Sequence, residues 1–382
     1  MIYWDYNATA PLHPHIKEKV IEALHRYDGN PSSIHRPGQE ARAYLETVRR
    51  RLAEKLGVLP TEVVFCGSAT EANMLGLWGF WLTEKKKSKP RKKLVSSSIE
   101  HAAVTKNVEF LAENEGVESV ELPLLPSGLA DLEALEKILS GGDVFLCSLQ
   151  GASNETGIVQ DWQAVAALCA RYETAFHSDM VQVFGRGPLS LKQEGLNSAS
   201  LAFHKSGGLK AIGALYLKTG SDWESCICGG GQEKKRRAGT ENLLGVASVD
   251  GLLDVLDQAV QEYQGRIREV RDHFESELKA LSSQIKIVGE ELTRLPNTST
   301  CIFPGVASDA LLMSLDVNNI CASAGSACSS GMSMASPALL SLGYSEDEAR
   351  SAIRFSLGES SEMSQVPKVI EVIQKTLRKF AA

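Results

Sequence analysis

Apolar positions along this chain alternate between two spacings. Short, nearly continuous apolar runs occur at Val63-Val-Phe65, Leu94-Val-Ser-Ser97, Asp143-Val-Phe-Leu-Cys-Ser-Leu149, Ser198 to Phe203 and Ala211 to Leu217. Runs of this length bounded by turn formers predict buried strands. Between them lie stretches of helical period. One runs from Pro14 to about His25. A second spans 39–56, with Ala43, Leu45, Val48, Leu52 and Leu56 on one face and Gly57 as its stop. A third covers Asp161 to Tyr172. Strands alternating with helices over 60–217 predict an α/β domain with a mostly parallel sheet. One long helix is expected from about Glu241 to about Leu281. Beyond it the texture changes: strands near 285–289, 298–303 and 353–357, with helices near 307–315, 345–352 and up to about 379. The expected division is a large α/β domain over 15–264 and a smaller α+β domain built from 1–14 and 265–382.

Composition narrows the class. The 382 residues are 43% hydrophobic and 23% charged, with a net charge of −7, so the whole chain offers no electrostatic case for binding nucleic acid. The longest apolar runs, near Met74 to Leu82 and Val165 to Ala170, fall far short of the roughly 20 residues that span a bilayer. The opening Met1-Ile-Tyr-Trp-Asp5 does not read as a signal peptide. Eight cysteines are scattered, and Cys226-Ile-Cys228 is a weak metal signal on its own, so no metal site is expected. Reduced thiols in the cytoplasm fit this pattern. The basic run Lys85 to Lys93 reads as a solvated loop, with docking of an acidic partner or RNA as its alternative.

Candidate chemistry gathers where strands end. Val63-Val-Phe65 runs into Gly67-Ser-Ala-Thr70-Glu-Ala-Asn73 and then a helix, an arrangement that leaves free backbone N–H groups at the positive end of a helix dipole. Its alternative is an ordinary N-cap. The turn lacks the glycine patterns of dinucleotide folds and P-loops. Thr70, His101, Asn154, Asp179 and Lys205 each follow a predicted strand. If those strands are parallel, all five share the carboxyl edge of one sheet. A lysine beside a buried strand is either a snorkelling surface residue or a reactive amine. The loop Gly29-Asn30 to Gly38 reads equally as surface or as substrate-facing. Cys328, among small residues from Cys321 to Pro337, reads as a reactive thiol, because a structural cysteine prefers an apolar, packed setting. Arg354 reads as a surface residue on an edge strand or as a fork for a substrate carboxylate.

A strand-end lysine, a strand-end aspartate, a histidine and a helix N-terminus fit for phosphate are what a pyridoxal phosphate (PLP) enzyme needs. The sequence resembles the NifS/IscS-like cysteine desulfurases of the class V aminotransferase group, with the PLP-dependent transferase fold type I. The motifs that carry the resemblance are Ser68-Ala-Thr-Glu-Ala-Asn, Glu100-His101, Asn154-Glu-Thr-Gly, Asp179 with Gln182, His204-Lys205, Arg237-Ala-Gly-Thr240 and Gly325-Ser-Ala-Cys328. The resemblance implies that Lys205 carries PLP and that Asp179 pairs with its ring nitrogen. It further implies that Gln182 bonds the ring oxygen, that His101 stacks on the ring, and that Ala69, Thr70 and His204 hold the phosphate. Thr240 would reach the cofactor of the other subunit, implying a homodimer with shared active sites. Asn30, Asn154 and Arg354 would receive the carboxylate of L-cysteine. Cys328 would take the sulfur as a persulfide and pass it to an acceptor protein.

Two departures from the family stand out. Ala202 stands three residues before the lysine, where the family usually has a serine on the phosphate, and Phe203 follows where a small residue is common. Ser200 and Ser206 are the nearby hydroxyls that could replace it. The chain also stops at Ala382, short of the tail that housekeeping members use on an iron–sulfur scaffold, which points to a dedicated acceptor. The competing readings are a selenocysteine lyase or another PLP β-lyase, and a non-catalytic partner protein with the same fold.

Overall fold

The computed structural model describes residues 1–324 and 335–380. Strand β1 (Ile2–Tyr3) opens the chain, followed by helices α1 (Pro14–Arg26) and α2 (Arg36–Leu56). The α/β part then runs β2 (Val63–Cys66), α3 (Ala69–Glu84), β3 (Lys93–Ser97), α4 (Ala102–Glu115), β4 (Glu118–Leu122), α5 (Leu132–Leu139), β5 (Val144–Ser148), α6 (Trp162–Arg171), β6 (Ala175–Asp179), β7 (Ser198–Ala202) and β8 (Gly213–Leu217). Helices α7 (Leu243–Glu262) and α8 (Arg268–Leu281) lead to β9 (Lys286–Ile287), β10 (Thr298–Ile302), α9 (Ser308–Val317), β11 (Ile320–Cys321), α10 (Pro337–Ser341), α11 (Glu346–Arg350), β12 (Ala352–Ser356) and α12 (Val366–Phe380).

The seven-stranded sheet has the order β2-β8-β7-β6-β5-β3-β4. Only β8 runs against the rest: it pairs antiparallel with both β2 and β7, so those two point the same way as β6, β5, β3 and β4. The condition on the strand-end residues is therefore met, since β2, β3, β5, β6 and β7 are co-directional. Strands β2, β5, β7 and β8 are buried at every residue, which is why their sequence reads as unbroken rather than alternating. One apolar cluster packs under one face (Leu45, Leu52, Phe176, Leu201 and Val249 among others) and a second under the other (Leu75, Phe80, Val104, Leu146).

The end of the chain builds a separate core. Trp4 is fully buried, edge-on to Phe274 at 5.0 Å and to Phe355 at 6.2 Å. Ile2 pairs with Ile320 in a parallel ladder, so the first residues join this second core. The long helix expected over 241–281 is interrupted by a π-helical turn at Tyr263–Ile267. That turn falls where the buried face changes cores: Leu243 to Leu256 face the first and Tyr263 to Leu278 the second.

Local boundaries differ from expectation for identifiable reasons. Helix α2 starts at Arg36, because the His35 ring accepts from Gly38 N at 3.3 Å and Pro37 sits in the first turn. The basic run is tied down locally. Lys85 pairs with Glu115 (2.8 Å), Lys87 with Glu84 (2.7 Å) and Asp222 (3.1 Å), and Lys93 with Asp143 (2.8 Å), while Lys86 meets Glu224. These partners favour the plain-loop reading over a docking surface. Among the described residues, no helix is long and apolar enough to cross a membrane.

Candidate active site

The turn between β2 and α3 forms one wall. Ser68 caps α3, its hydroxyl accepting from Glu71 N at 3.1 Å. The first-turn amides of Ala69 and Thr70 have no place in the intrahelical ladder and point out of the helix end. The turn is braced from behind. Glu71 accepts from Gly67 N (3.0 Å) and from Arg237 through two bonds of 2.6 and 3.2 Å. Gly213 on β8 passes so close that a Cβ there would lie 2.6 Å from the Ser68 carbonyl carbon.

Asp179 is the last residue of β6. Its carboxylate accepts from Asn73 Nδ2 at 2.7 Å and from Val181 N at 3.0 Å. Asn73 is itself oriented by His177, whose Nε2 lies 2.9 Å from Asn73 Oδ1, while Ser198 Oγ lies 2.8 Å from His177 Nδ1. Burial pushes the His177 pKa down to about 4, so the ring is neutral. With Asn73 Oδ1 as an acceptor, the proton sits on Nε2. The bonds then run in one direction, from Ser198 through His177 and Asn73 to Asp179. Gly76 makes room for this ring, since a Cβ there would lie 2.5 Å from it. The sequence motifs assign no role to Asn73 or to His177. The available signal was position: His177 lies two residues before Asp179 in one strand, and so on the same face.

His177 also carries a pH prediction. Its folded pKa lies below its unfolded one, so between about pH 6.5 and 4 the unfolded chain takes up a proton that the folded chain refuses. Stability is therefore expected to fall as pH drops through that window, by about 3 kcal/mol from this ring. Replacing His177 by Gln should flatten that part of a pH series of urea melts. An unchanged slope would remove His177 as its source.

Lys205 lies on a single 3-10 turn, His204–Ser206, directly after β7. Its Nζ donates to the Asn7 carbonyl at 2.8 Å. Burial lowers its pKa to about 8, with Arg186 and Arg354 adding to the effect and Asp179 and Asp5 opposing it. It is thus neither a snorkelling lysine nor an ordinary ammonium. His204 is also held neutral, its pKa pushed down to about 4 by burial and then by Lys205, and its Nδ1 lies 3.0 Å from Thr9 Oγ1. His101 caps α4, accepting from Ala103 N at 3.0 Å through Nδ1, so its neutral form carries the proton on Nε2. Crowding by the protein lowers its pKa, Lys205 acts in the same direction, and Asp179 opposes.

A cavity of about 290 Å³ brings together Ala69, Thr70, His101, Asn154, Asp179, Gln182, His204 and Lys205. Arg354 stands behind it. The residue is on an edge strand, as expected, but it is buried rather than on the surface. It donates to the Asn154 carbonyl at 3.0 Å and to Asp5 at 2.8 Å. Its fork is therefore already engaged by a carboxylate. Asn30 and Thr240 are exposed and do not line this cavity; Asn30 accepts from Ser32 N at 2.9 Å. Cys328 lies outside the described residues.

Ala202 presents a methyl group to the cavity. Neither nearby serine replaces its missing hydroxyl. Ser200 Oγ lies 3.4 Å from His177, and Ser206 donates to the Phe184 carbonyl at 3.0 Å. Phe203 turns away into the core, edge-on to Phe184 at 5.6 Å.

Residues 2–369 match the family model for class-V aminotransferases. The chain belongs to that family. Class-V relatives similar along the whole chain include an IscS-like cysteine desulfurase of Mycobacterium tuberculosis, 33% identical over 98% of this chain and 95% of the relative. A cysteine desulfurase IscS of Dictyoglomus turgidum is 32% identical over 99% of this chain and 95% of its own. Among solved structures, a NifS-like protein from Rickettsia africae superposes with a TM-score of 0.87 at 32% identity, covering 99% of each chain. A second NifS-like protein gives 0.91 at 29% identity, also over 99% of each. The fold is therefore that of PLP-dependent fold type I enzymes, and the family is PLP-dependent.

The residues of this class-V site fit PLP. Lys205 supplies an amine with a depressed proton affinity, Asp179 a fixed carboxylate, and α3 a helix end for an anion. The buried Oε1 of Gln182 has no partner among the protein groups described, as expected of a side chain that meets a bound group.

Proposed function

We infer that this protein is a PLP-dependent cysteine desulfurase, converting L-cysteine to L-alanine and moving the sulfur to a protein thiol. The observation that carries it is the meeting of Lys205, Asp179 and the α3 N-terminus around one cavity in a chain similar end to end to cysteine desulfurases. When bound, PLP supplies an electron sink that weakens bonds at the substrate α- and β-carbons.

The chain's own groups do the rest. Lys205 Nζ would hold the cofactor and, once displaced by the substrate amine, take the proton from the substrate Cα. That proton transfer needs the neutral amine, and burial brings its formation closer to working pH by lowering the proton affinity. Asp179 would hold a proton on the ring nitrogen, and Asn73 and Val181 aim its two oxygens. The Ala69 and Thr70 amides, with His204, would hold the phosphate; Gln182 would meet the ring oxygen and His101 would stack above it. Asn154, Arg354 and Asn30 are proposed to receive the substrate carboxylate, Arg354 sharing its fork with Asp5. At Cys328, the reaction balances as the thiol plus L-cysteine giving a persulfide plus L-alanine. The C–S bond breaks, an S–S bond forms, and the thiol proton ends on carbon.

Thr240 and Asn30 stand outside their own chain's cavity, which supports a homodimer in which Thr240 of the partner subunit completes the phosphate site. The proposed division is a cofactor-binding unit over 15–264, with 1–14 and 265–382 as the unit carrying Cys328. A cytoplasmic setting and a separate acceptor protein complete the proposal, supported by cysteines that are free wherever described. The test is direct. The purified full chain, given PLP, L-cysteine and a thiol reductant to discharge the persulfide, should release alanine and sulfide in equal amounts. Protein that takes up PLP and turns yellow, yet yields no alanine, would overturn this reading.

A further inference from the structure

Arg186 is a buried arginine with no carboxylate. It is 1% exposed, and none of the ion pairs among the described residues involves it. Its Nη1 donates to the Gln182 carbonyl at 3.0 Å and its Nη2 to the Tyr6 carbonyl at 3.3 Å, while its Nε has no partner. The ring of Tyr263 lies 6.0 Å away. Burying a cation without a counter-charge is costly, and a guanidinium does not escape the cost by losing its proton.

Its surroundings tie it to Lys205. Tyr6 and Asn7 offer consecutive carbonyls: the first accepts from Arg186 and the second from Lys205 at 2.8 Å. The side chain of Gln182 reaches the same Asn7 carbonyl at 3.3 Å, and its backbone carbonyl holds Arg186. The segments are also clamped directly. Gly185, at φ 80°, packs so closely on Ser206 that a Cβ would lie 2.6 Å from its Oγ, and Ser206 donates to the Phe184 carbonyl at 3.0 Å. Two basic groups are thus held on consecutive carbonyls inside the protein, and only one of them can discharge.

We propose that Arg186 is a positioning residue that acts through Lys205, its permanent charge favouring the neutral form of the neighbouring amine. The inference rests on the reading of Lys205 as the residue that carries the cofactor. The groups facing Lys205 from the elements packed around it are Arg186, Arg354, Lys210 across the cavity, the neutral ring of His204 and His101, with Asp179 and Asp5 on the opposing side. Burial comes first among the causes of its lowered proton affinity and Arg186 is the next. Arg354 is offset by its own carboxylate, Asp5, whereas Arg186 has none.

The experiment measures the acetylation rate of Lys205 by acetic anhydride across pH in the PLP-free full-length chain, read by mass spectrometry on the peptide that contains it. Wild type should give a midpoint near 8. Arg186→Gln and Arg186→Met should move it up by about 1 pH unit, leaving about tenfold less neutral amine at pH 7. A residue that merely pins Tyr6 and Gln182 would not move this midpoint. A wild-type midpoint at the ordinary lysine value, or a folded neutral variant with the wild-type midpoint, would overturn the proposal. A Lys205 that titrates low but never attaches PLP would instead defeat the cofactor reading and leave this one standing.

Discussion

Lys205→Ala should abolish covalent uptake of PLP and lower L-cysteine desulfuration by on the order of 10³-fold or more. The visible band of the PLP-loaded protein should vanish with it. The same substitution should not unfold the chain. Lys205 makes one hydrogen bond, to the Asn7 carbonyl, which contributes about 1 kcal/mol. Against that stands a lysine whose pKa is lowered to about 8, so at pH 7 the folded chain bears a penalty for its charge of about 3 kcal/mol. The PLP-free variant is therefore expected to melt no lower than PLP-free wild type. A large loss of stability with the band retained would make Lys205 structural and send the search for the reactive amine elsewhere.

Asp179→Asn should be nearly as damaging to turnover while leaving attachment to Lys205 possible. The carboxylate is the terminus of a one-directional set of bonds. His177 faces Asn73 Oδ1, so Asn73 must present its NH₂ group to residue 179. A carboxylate accepts that bond and the Val181 N–H together. An amide at 179 can turn only one oxygen to two donors, and its own NH₂ faces a donor. The expected cost is about 1–3 kcal/mol in stability. The ring nitrogen would also lose its charged partner, and kcat should fall by about 10²- to 10⁴-fold. The check is a pair of measurements on the PLP-loaded variant, the visible spectrum and single-turnover alanine formation. A variant that binds PLP with the wild-type spectrum and rate would remove Asp179 from its role.

The site was legible in the sequence where backbone topology decides position. Residues after co-directional strands must meet at one sheet edge, so Thr70, His101, Asn154, Asp179 and Lys205 could be assembled from apolar runs alone. The antiparallel β8 did no harm, because no site residue depends on its direction. Less visible were the elements with little apolar signal. Strand β4, Glu118–Leu122, has a single fully buried residue and pairs only with β3 at the sheet edge, so its sequence carries no strand-like run. Helix α5 is short and was equally silent. The supports of the site were hidden for a different reason: Asn73, His177 and Arg186 act through contacts between segments about a hundred residues apart in one case and through burial in another. Neither leaves a local pattern. Arg354 shows the same limit, since an edge strand suggests exposure until the N-terminal segment is seen to cover it through the bridge between Asp5 and Ser356.

Ala202 and Phe203 matter for how the cofactor is held. The hydroxyl absent at 202 is not restored by Ser200 or Ser206, so in the proposed site the phosphate would be left to the α3 amides, Thr70 and His204. Phe203 is a packing residue, filling the space beside Phe184.

The central claim is that sulfur leaves L-cysteine for a thiol of this chain. The most direct measurement is a single turnover of the PLP-loaded protein with L-cysteine, alkylated at once and analysed by mass spectrometry on the peptide containing Cys328. The predicted result is that peptide one sulfur heavier, with one alanine per persulfide, and neither product in Cys328→Ala. An unmodified Cys328 peptide, with alanine formed equally by wild type and Cys328→Ala, would contradict it.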